Sequence, residues 1–346
     1  MAENNIKLLR GEAYPALLAK LLESTMVYGP VVAGGRVAYR RIASPAEVAG
    51  ADDYLLTDLS PKAFVFPRVE KLLSYTKSKD GVEVRDFDPE RIPHRVVVGV
   101  RPCDASGIVS LGAIFEWDPA DPIYAERLAR TTIVSLSCKT ADSHCFCTSV
   151  GGGPGNTRGS DILLTRMDDG DYIVEILTPK GEALVTAADG VFETYDGASG
   201  PGGPAKERYL ADVPRRFDDS DLEQKVTAAF DTDLFDRYAV RCIGCSACAF
   251  VCPSCACFDI QDNTRGSQGQ RIRGWDSCGA KLFTQHTSGH NPRETQGPRW
   301  RQRLMHKFSY MPERLDVRGC AGCGRCSRRC PAGMDIAESL AIIINS

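Results

Sequence analysis

An α/β N-terminal part followed by a helical, cysteine-rich domain is the architecture that this sequence of 346 residues predicts. Three observations carry that expectation. Two β-branched runs, at 96–100 and 131–136, bracket two helical stretches at 105–114 and 122–130, the pattern of a parallel crossover unit. All 15 cysteines lie beyond residue 102, and eight of them form two runs of identical spacing in the last third of the chain. No apolar run reaches the 18 residues of a membrane span.

Residues 1–95 contain no cysteine and no catalytic motif, and read as a cap or docking region. Leu8, Leu9, Leu17, Leu18, Leu21 and Leu22 give an apolar stripe that predicts a helix over 6–22, interrupted at Pro15. Short segments at 37–42 and 63–66 follow, separated by Gly-Pro, Gly-Gly and Ser-Pro breaks. Residues 96–200 form the α/β domain. Cys103 follows its first strand and Cys138 its second, so a parallel pair would bring both to one sheet edge, where α/β folds place their sites. A glycine-rich loop at 151–160 and a hairpin across Asp168-Asp169-Gly170 come next. A linker is expected at 196–206, and a charged helical stretch at 207–236 leads into the C-terminal domain, 201–346.

The strongest signal is Cys242-x2-Cys245-x2-Cys248-x3-Cys252-Pro253, repeated as Cys320-x2-Cys323-x2-Cys326-x3-Cys330-Pro331. This is the bacterial ferredoxin run for [4Fe–4S] clusters, in which the fourth cysteine ligates the other cluster. Carried over, one cluster rests on Cys242, Cys245, Cys248 and Cys330, and the other on Cys320, Cys323, Cys326 and Cys252. Gly244, Gly322 and Gly324 suit the tight turns between ligands. Zinc needs only four cysteines, usually as separated pairs, and fits this doubled spacing poorly. The C-terminal domain is therefore expected to be ferredoxin-like, with a long insertion between its motifs.

Cys103, Cys138, Cys145 and Cys147 make a further set of four thiols, read as a third [4Fe–4S] site, with zinc or unliganded thiols as alternatives. His144 is either a ligand or a hydrogen-bond donor behind the ligands. The glycines at 151–155 lack nucleotide-binding spacing and would let backbone amides approach this site. Cys255, Cys257 and Cys278, in the insertion, are either a further ligand set or shield, completed by Asp276, His286 or His290, or buried free thiols. Phe250, Phe258, Trp275 and Phe283 are expected to pack around the clusters and exclude water. Between Asn291 and Cys330, ten Arg and Lys face three acids, a surplus that suits thiolate-bound polyanions or an acidic docking partner. The whole chain has a formal net charge of −3, which gives no case for nucleic acid. The N-terminus lacks a basic segment followed by an apolar one, so a cytoplasmic location is expected.

With these residues in hand, the chain resembles a family of iron–sulfur subunits shared by soluble sulfhydrogenases, where it is the beta subunit, and anaerobic sulfite reductases. The resemblance rests on RPCDASGI, the 138–147 cysteines with the glycine loop, RCIGCSACAFVCPSCACFDI, RGWDSC, and RQRLMHKFSYMPERLDVRGCAGCGRCSRRCPAGMDI. It is good over 95–346 and poor before that. It implies a protein that turns over no substrate alone. Such a protein passes electrons between a flavin- and NAD(P)-binding diaphorase subunit, or a ferredoxin, and a catalytic subunit, either a [NiFe] hydrogenase or a sirohaem sulfite reductase. Two other readings stay open: a stand-alone ferredoxin-linked reductase whose flavin or substrate site leaves no sequence signal, and an iron–sulfur redox sensor.

Overall fold

The computed structural model describes residues 5–195 and 204–346. Among these, twelve strands form two sheets. The larger has the order β10-β1-β9-β8-β7-β6-β2-β3. Its strands are β1 (Ile6–Leu9), β2 (Met26–Ala33), β3 (Arg36–Arg41), β6 (Arg95–Val100), β7 (Thr131–Leu136), β8 (Ile162–Arg166), β9 (Tyr172–Ile176) and β10 (Glu193–Thr194). The smaller, in the order β11-β12-β4-β5, pairs β11 (Phe258–Arg265) and β12 (Gln268–Trp275) with β4 (Val69–Ser78) and β5 (Gly81–Asp86).

At the centre of the larger sheet β2, β6, β7 and β8 run parallel. Strand β6 alternates because it is covered on both faces. Val96 and Val98 join a core with Leu17, Leu18 and Leu21 of α1 (Tyr14–Ser24) and Leu184 of α4 (Pro179–Ala187). Val97 and Val100 join a second core with Ile108, Leu111 and Phe115 of α2 (Pro102–Phe115) and Tyr124 of α3 (Pro122–Ala129). The result is a three-layer α/β unit. As expected, β6 and β7 are a parallel pair joined through α2 and α3, and β8 and β9 form the hairpin across Asp168-Asp169-Gly170.

The N-terminal part departs from expectation. The segment 6–22 is not one helix: Ile6–Leu9 is strand β1, held between β9 and β10, and the helix starts at Tyr14. Pro15 opens that helix instead of interrupting it, since proline's missing N–H costs nothing in a first turn. The boundary expected at 95 also fails to separate the strands. Strands β1, β2 and β3 complete the larger sheet, while β4, with β5 on its outer edge, pairs with the hairpin carried by the insertion between the cysteine motifs. Most of the expected linker, at 196–203, lies outside the described residues.

The C-terminal part is helical, as expected. Leu222, Val226, Phe235, Trp300, Leu304, Phe308 and Leu340 form its own core. The helix Gln296–Met305 continues through a widened turn at His306–Tyr310 into Met311–Leu315. Among the described residues no helix is long and apolar enough to cross a membrane.

A buried ion-pair cluster docks the small sheet on the large one. Glu70 of β4 accepts from Arg127 of α3 at 2.5 Å and from Arg273 of β12, which also reaches Asp121 at the start of α3. Removing one partner of a buried pair strands the other charges, a loss of about 3–5 kcal/mol. Glu70→Ala is accordingly expected to lower the urea midpoint of unfolding followed by far-ultraviolet circular dichroism, and Glu70→Gln to lower it less. An unchanged midpoint for Glu70→Ala would show that the cluster does not hold the sheets together.

Candidate iron–sulfur centres

The parallel pair brings the first thiols together. After β6 the chain turns through Arg101 and Pro102 into α2, placing Cys103 in its first turn. After β7 it passes Ser137 to Cys138, and Arg101 ties the two strand ends by donating to Ser137 O at 2.9 Å. Cys138 N–H donates to Pro154 O at 2.9 Å, which folds the glycine loop over the same edge. Cys145 and Cys147 arrive on the intervening loop, anchored where Arg328 bonds both Asp142 (2.6 Å) and the Cys145 sulfur (3.2 Å). All four thiols line one cavity, with Leu55, Leu56, Gly153, Pro154 and Cys323. Residues separated by up to 44 positions in sequence thus meet at one edge of the sheet.

A second cavity is lined by Cys242, Cys245, Cys248 and Cys330, with Cys326, Gln296, Trp300, Arg303 and Met334. The first motif bends through Gly244 (φ 69°) and Ser246 (φ 64°), both left-handed, before the short helix Ala247–Phe250. Cys252 lies beyond that helix, turned toward the second motif. Lys307 Nζ reaches its sulfur at 3.4 Å and bonds Gly319 O, beside Cys320. Ser254 Oγ donates to the same carbonyl at 2.6 Å. Burial, with the nearby Cys252 and Cys326 sulfurs, pushes the Cys320 and Cys323 thiols up.

The second motif packs directly on the Cys145 loop. Phe146 N–H donates to Gly322 O at 2.9 Å. A β-carbon on Gly322 would lie 2.4 Å from the Cys147 backbone, and one on Gly324 2.2 Å from His144 O. Both glycines also adopt left-handed φ, so contact and conformation require the same residue. Beside them Arg325, 2% exposed, makes a bidentate pair with Asp104 at 2.6 and 2.8 Å.

These sites suit thiolate-bound clusters. Burial pushes the Cys138 thiol to about 11, Cys147 to about 12 and Cys320 to about 11, so a metal must displace the proton. Arg303 Nε and Trp300 Nε1, which belong to side chains lining the second cavity, are buried without a hydrogen-bond acceptor, as donors facing inorganic sulfide would be. Among the described residues no three His, Cys, Asp or Glu side chains converge on a single-ion site.

Charge points the same way. Lys62, Arg303 and Lys307 are 2–4% exposed, and among the described residues none has a carboxylate within 4 Å. Lys62 Nζ bonds Cys255 O (3.0 Å) and Ala249 O (3.3 Å) and lies over the Trp275 ring. Arg303 bonds Cys248 O (2.9 Å) and the Cys255 sulfur (3.5 Å). Burial lowers the Lys62 pKa, whereas at Lys307 the nearby Cys252 and Cys255 sulfurs outweigh burial and raise it. Arg303 and Lys307, whose pKa values the neighbouring cysteine sulfurs raise against burial, are buried charges that call for a buried anion.

Other residues singled out in the sequence take different places. His286 and His290 pack on each other, ring centres 5.3 Å apart, on the exposed part of the insertion, and line none of these cavities. Asp276 accepts from Ser277 N–H at 2.7 Å. His144 Nδ1 lies 3.7 Å from Asp335, away from the cysteine cavity. Phe250 packs on Trp275, but Phe258 stacks against Phe115 in the α/β part. Lys62 was missed because it sits in a segment without periodicity. Its one signal is a lysine within the apolar run Pro61-Lys62-Ala63-Phe64-Val65-Phe66.

The doubled motif, the sulfur-lined cavities and the buried cations define an iron–sulfur protein of the electron-transfer class. Residues 241–334 match the family model of the 4Fe-4S dicluster domain. The whole chain is 30% identical over 334 residues to sulfhydrogenase 2 subunit beta of Pyrococcus furiosus, covering 96% of each protein. The chain belongs to this family of hydrogenase beta subunits, and its role is that of an iron–sulfur electron-transfer subunit. No solved structure matches it.

Lys307→Gln removes a positive charge that favours the reduced, more negative cluster. It is expected to shift the reduction potential of the cluster nearest Cys252 negatively by on the order of tens of millivolts, without loss of iron. Redox titration followed by electron paramagnetic resonance measures this, and a positive shift would contradict the assigned role.

Proposed function

We propose that the chain relays single electrons through three [4Fe–4S] clusters arranged in a row. Cys242, Cys245, Cys248 and Cys330 would hold the first, Cys320, Cys323, Cys326 and Cys252 the second, and Cys103, Cys138, Cys145 and Cys147 the third. Each cluster supplies one-electron redox chemistry. The observation that carries the order is the sharing of walls. Cys326 lines the first cavity and Cys323 the third, so the second set of ligands borders both.

The protein's own contribution is to hold the ligands, exclude water and set charge. Trp300 and Met334 wall the first cavity, Leu55, Leu56 and Val213 the third, and Lys307 and Arg303 compensate the thiolates between them. Cys245 is the exposed cysteine of the twelve, and Ile243 beside it is 68% exposed, which favours electron exchange with a partner at the first cluster. The likeness to a hydrogenase beta subunit supports a place in a hydrogenase-type complex. There the chain would connect a flavin- and NAD(P)-binding subunit with a catalytic one, either a [NiFe] hydrogenase or a sulfite reductase.

Iron and acid-labile sulfide on anaerobically purified protein should give about twelve irons per chain, whereas about eight would remove the third cluster. Cys330→Ser is expected to perturb the cluster of Cys242, Cys245 and Cys248. Loss confined to the Cys320 set would overturn the crossed assignment. Cys320→Ser should leave the two outer clusters magnetically isolated, and spin coupling that survives it would contradict the row.

A further inference from the structure

Three cysteines remain outside the proposed ligand sets, and two of them are brought into contact by the insertion hairpin. Strands β11 and β12 pair in register from Arg265↔Gln268 to Phe258↔Trp275. One step beyond the last rung, Asp276 N–H donates to Cys257 O at 2.9 Å. The chain then turns tightly, with Ser277 N–H on Asp276 Oδ1 (2.7 Å) and Gly279 N–H on Ser277 Oγ (3.0 Å). This turn carries Cys278 back beside Cys257, just past the rung that Asp276 N–H closes on the Cys257 carbonyl. Cys278 is buried and Cys257 half-buried.

The surroundings connect this pair to the relay on both sides. Gly279, next to Cys278, lines the first cavity. Cys255, two residues before Cys257, shares a buried cluster with Cys252. Arg303 bonds the Cys255 sulfur and Lys307 reaches the Cys252 sulfur, so buried positive charge borders this part of the insertion. Two paired thiols cannot close the coordination of a cluster, yet they are the complete chemistry of a disulfide.

We propose that Cys257 and Cys278 are a redox-active dithiol that interconverts with a disulfide by exchanging electrons with the adjacent clusters. Oxidation replaces two S–H bonds by one S–S bond and releases two protons and two electrons. Two oxidised [4Fe–4S] clusters take up one electron each, and the reverse step returns them. The pair thereby stores a two-electron equivalent within a one-electron relay. This rests on the cluster assignment above, and the test separates the two.

The complex is poised anaerobically over a series of potentials, unfolded in N-ethylmaleimide, and mapped by peptide mass spectrometry, with iron and cluster resonance measured on the same samples. A peptide linking Cys257 to Cys278 should form at high potential and disappear at low potential. Its ratio to the alkylated form should change tenfold for about every 30 mV, the slope of a two-electron couple, against about 59 mV for one electron. Cys257→Ser and Cys278→Ser should abolish the linked peptide and keep the full iron content. Free thiols at every potential would overturn the proposal, and so would loss of iron in either variant, which would make these residues ligands. Iron below the expected content in the unaltered protein would count against the cluster assignment alone.

Discussion

The burial of positive charge beside sulfur is the constraint on which the rest of this structure depends. An ammonium or guanidinium group taken out of water loses several kcal/mol of hydration unless a negative charge meets it. Lys62 comes from the N-terminal part, Arg303 and Lys307 from the helix running through 296–310, and all three end against the first cysteine motif and the residues that follow it. Thiolates, and the clusters of the proposed relay, would supply the missing charge. The same groups that favour an anionic cluster also draw the N-terminal part, the motif and the long helix onto one another. Cluster formation and assembly of the fold are therefore linked through charge.

The widened turn at His306–Tyr310 belongs to this arrangement. Insertion of an extra residue into a helical turn rotates the side chains that follow it, and such turns recur at functional sites. Here the turn contains Lys307, which reaches Cys252, Ser254 and Gly319 together. One ammonium thus joins the end of the first motif to the start of the second, across 67 intervening residues in the chain.

Much of the site was legible because metal ligation imposes spacing. The doubled motif singled out eight candidate cysteines without reference to the fold, and the parallel pair was enough to bring Cys103 toward Cys138. The N-terminal part was less legible for a physical reason. Leu8 and Leu9 fit a helical stripe and a strand equally well, and only pairing with Ile173 and Tyr172, more than 160 residues away, decides for the strand. The same holds for the polar hairpin of β4 and β5, in which β4 finds its outside partner in the hairpin of the insertion. Neither periodicity nor composition reports a pairing between distant segments. Lys62 was hidden likewise, because its meaning lies in the carbonyls of Ala249 and Cys255.

The Arg325–Asp104 pair shows how the two cysteine regions are held at a fixed separation. Asp104 follows Cys103 directly, and Arg325 stands between Gly324 and Cys326. Their bidentate contact is buried, and Arg325 also donates to Thr57 O at 2.9 Å. A buried pair of this kind adds little net stability over an apolar contact, but breaking it is costly, so its main effect is to fix geometry. Gly322 and Gly324 act in the same sense, since any side chain there would force the second motif off the Cys145 loop. An enzyme site often needs room to close on a substrate. Rigid charge pairing and glycine-backed contact between neighbouring cysteine sets instead keep one separation, which is what repeated electron transfer between fixed centres demands.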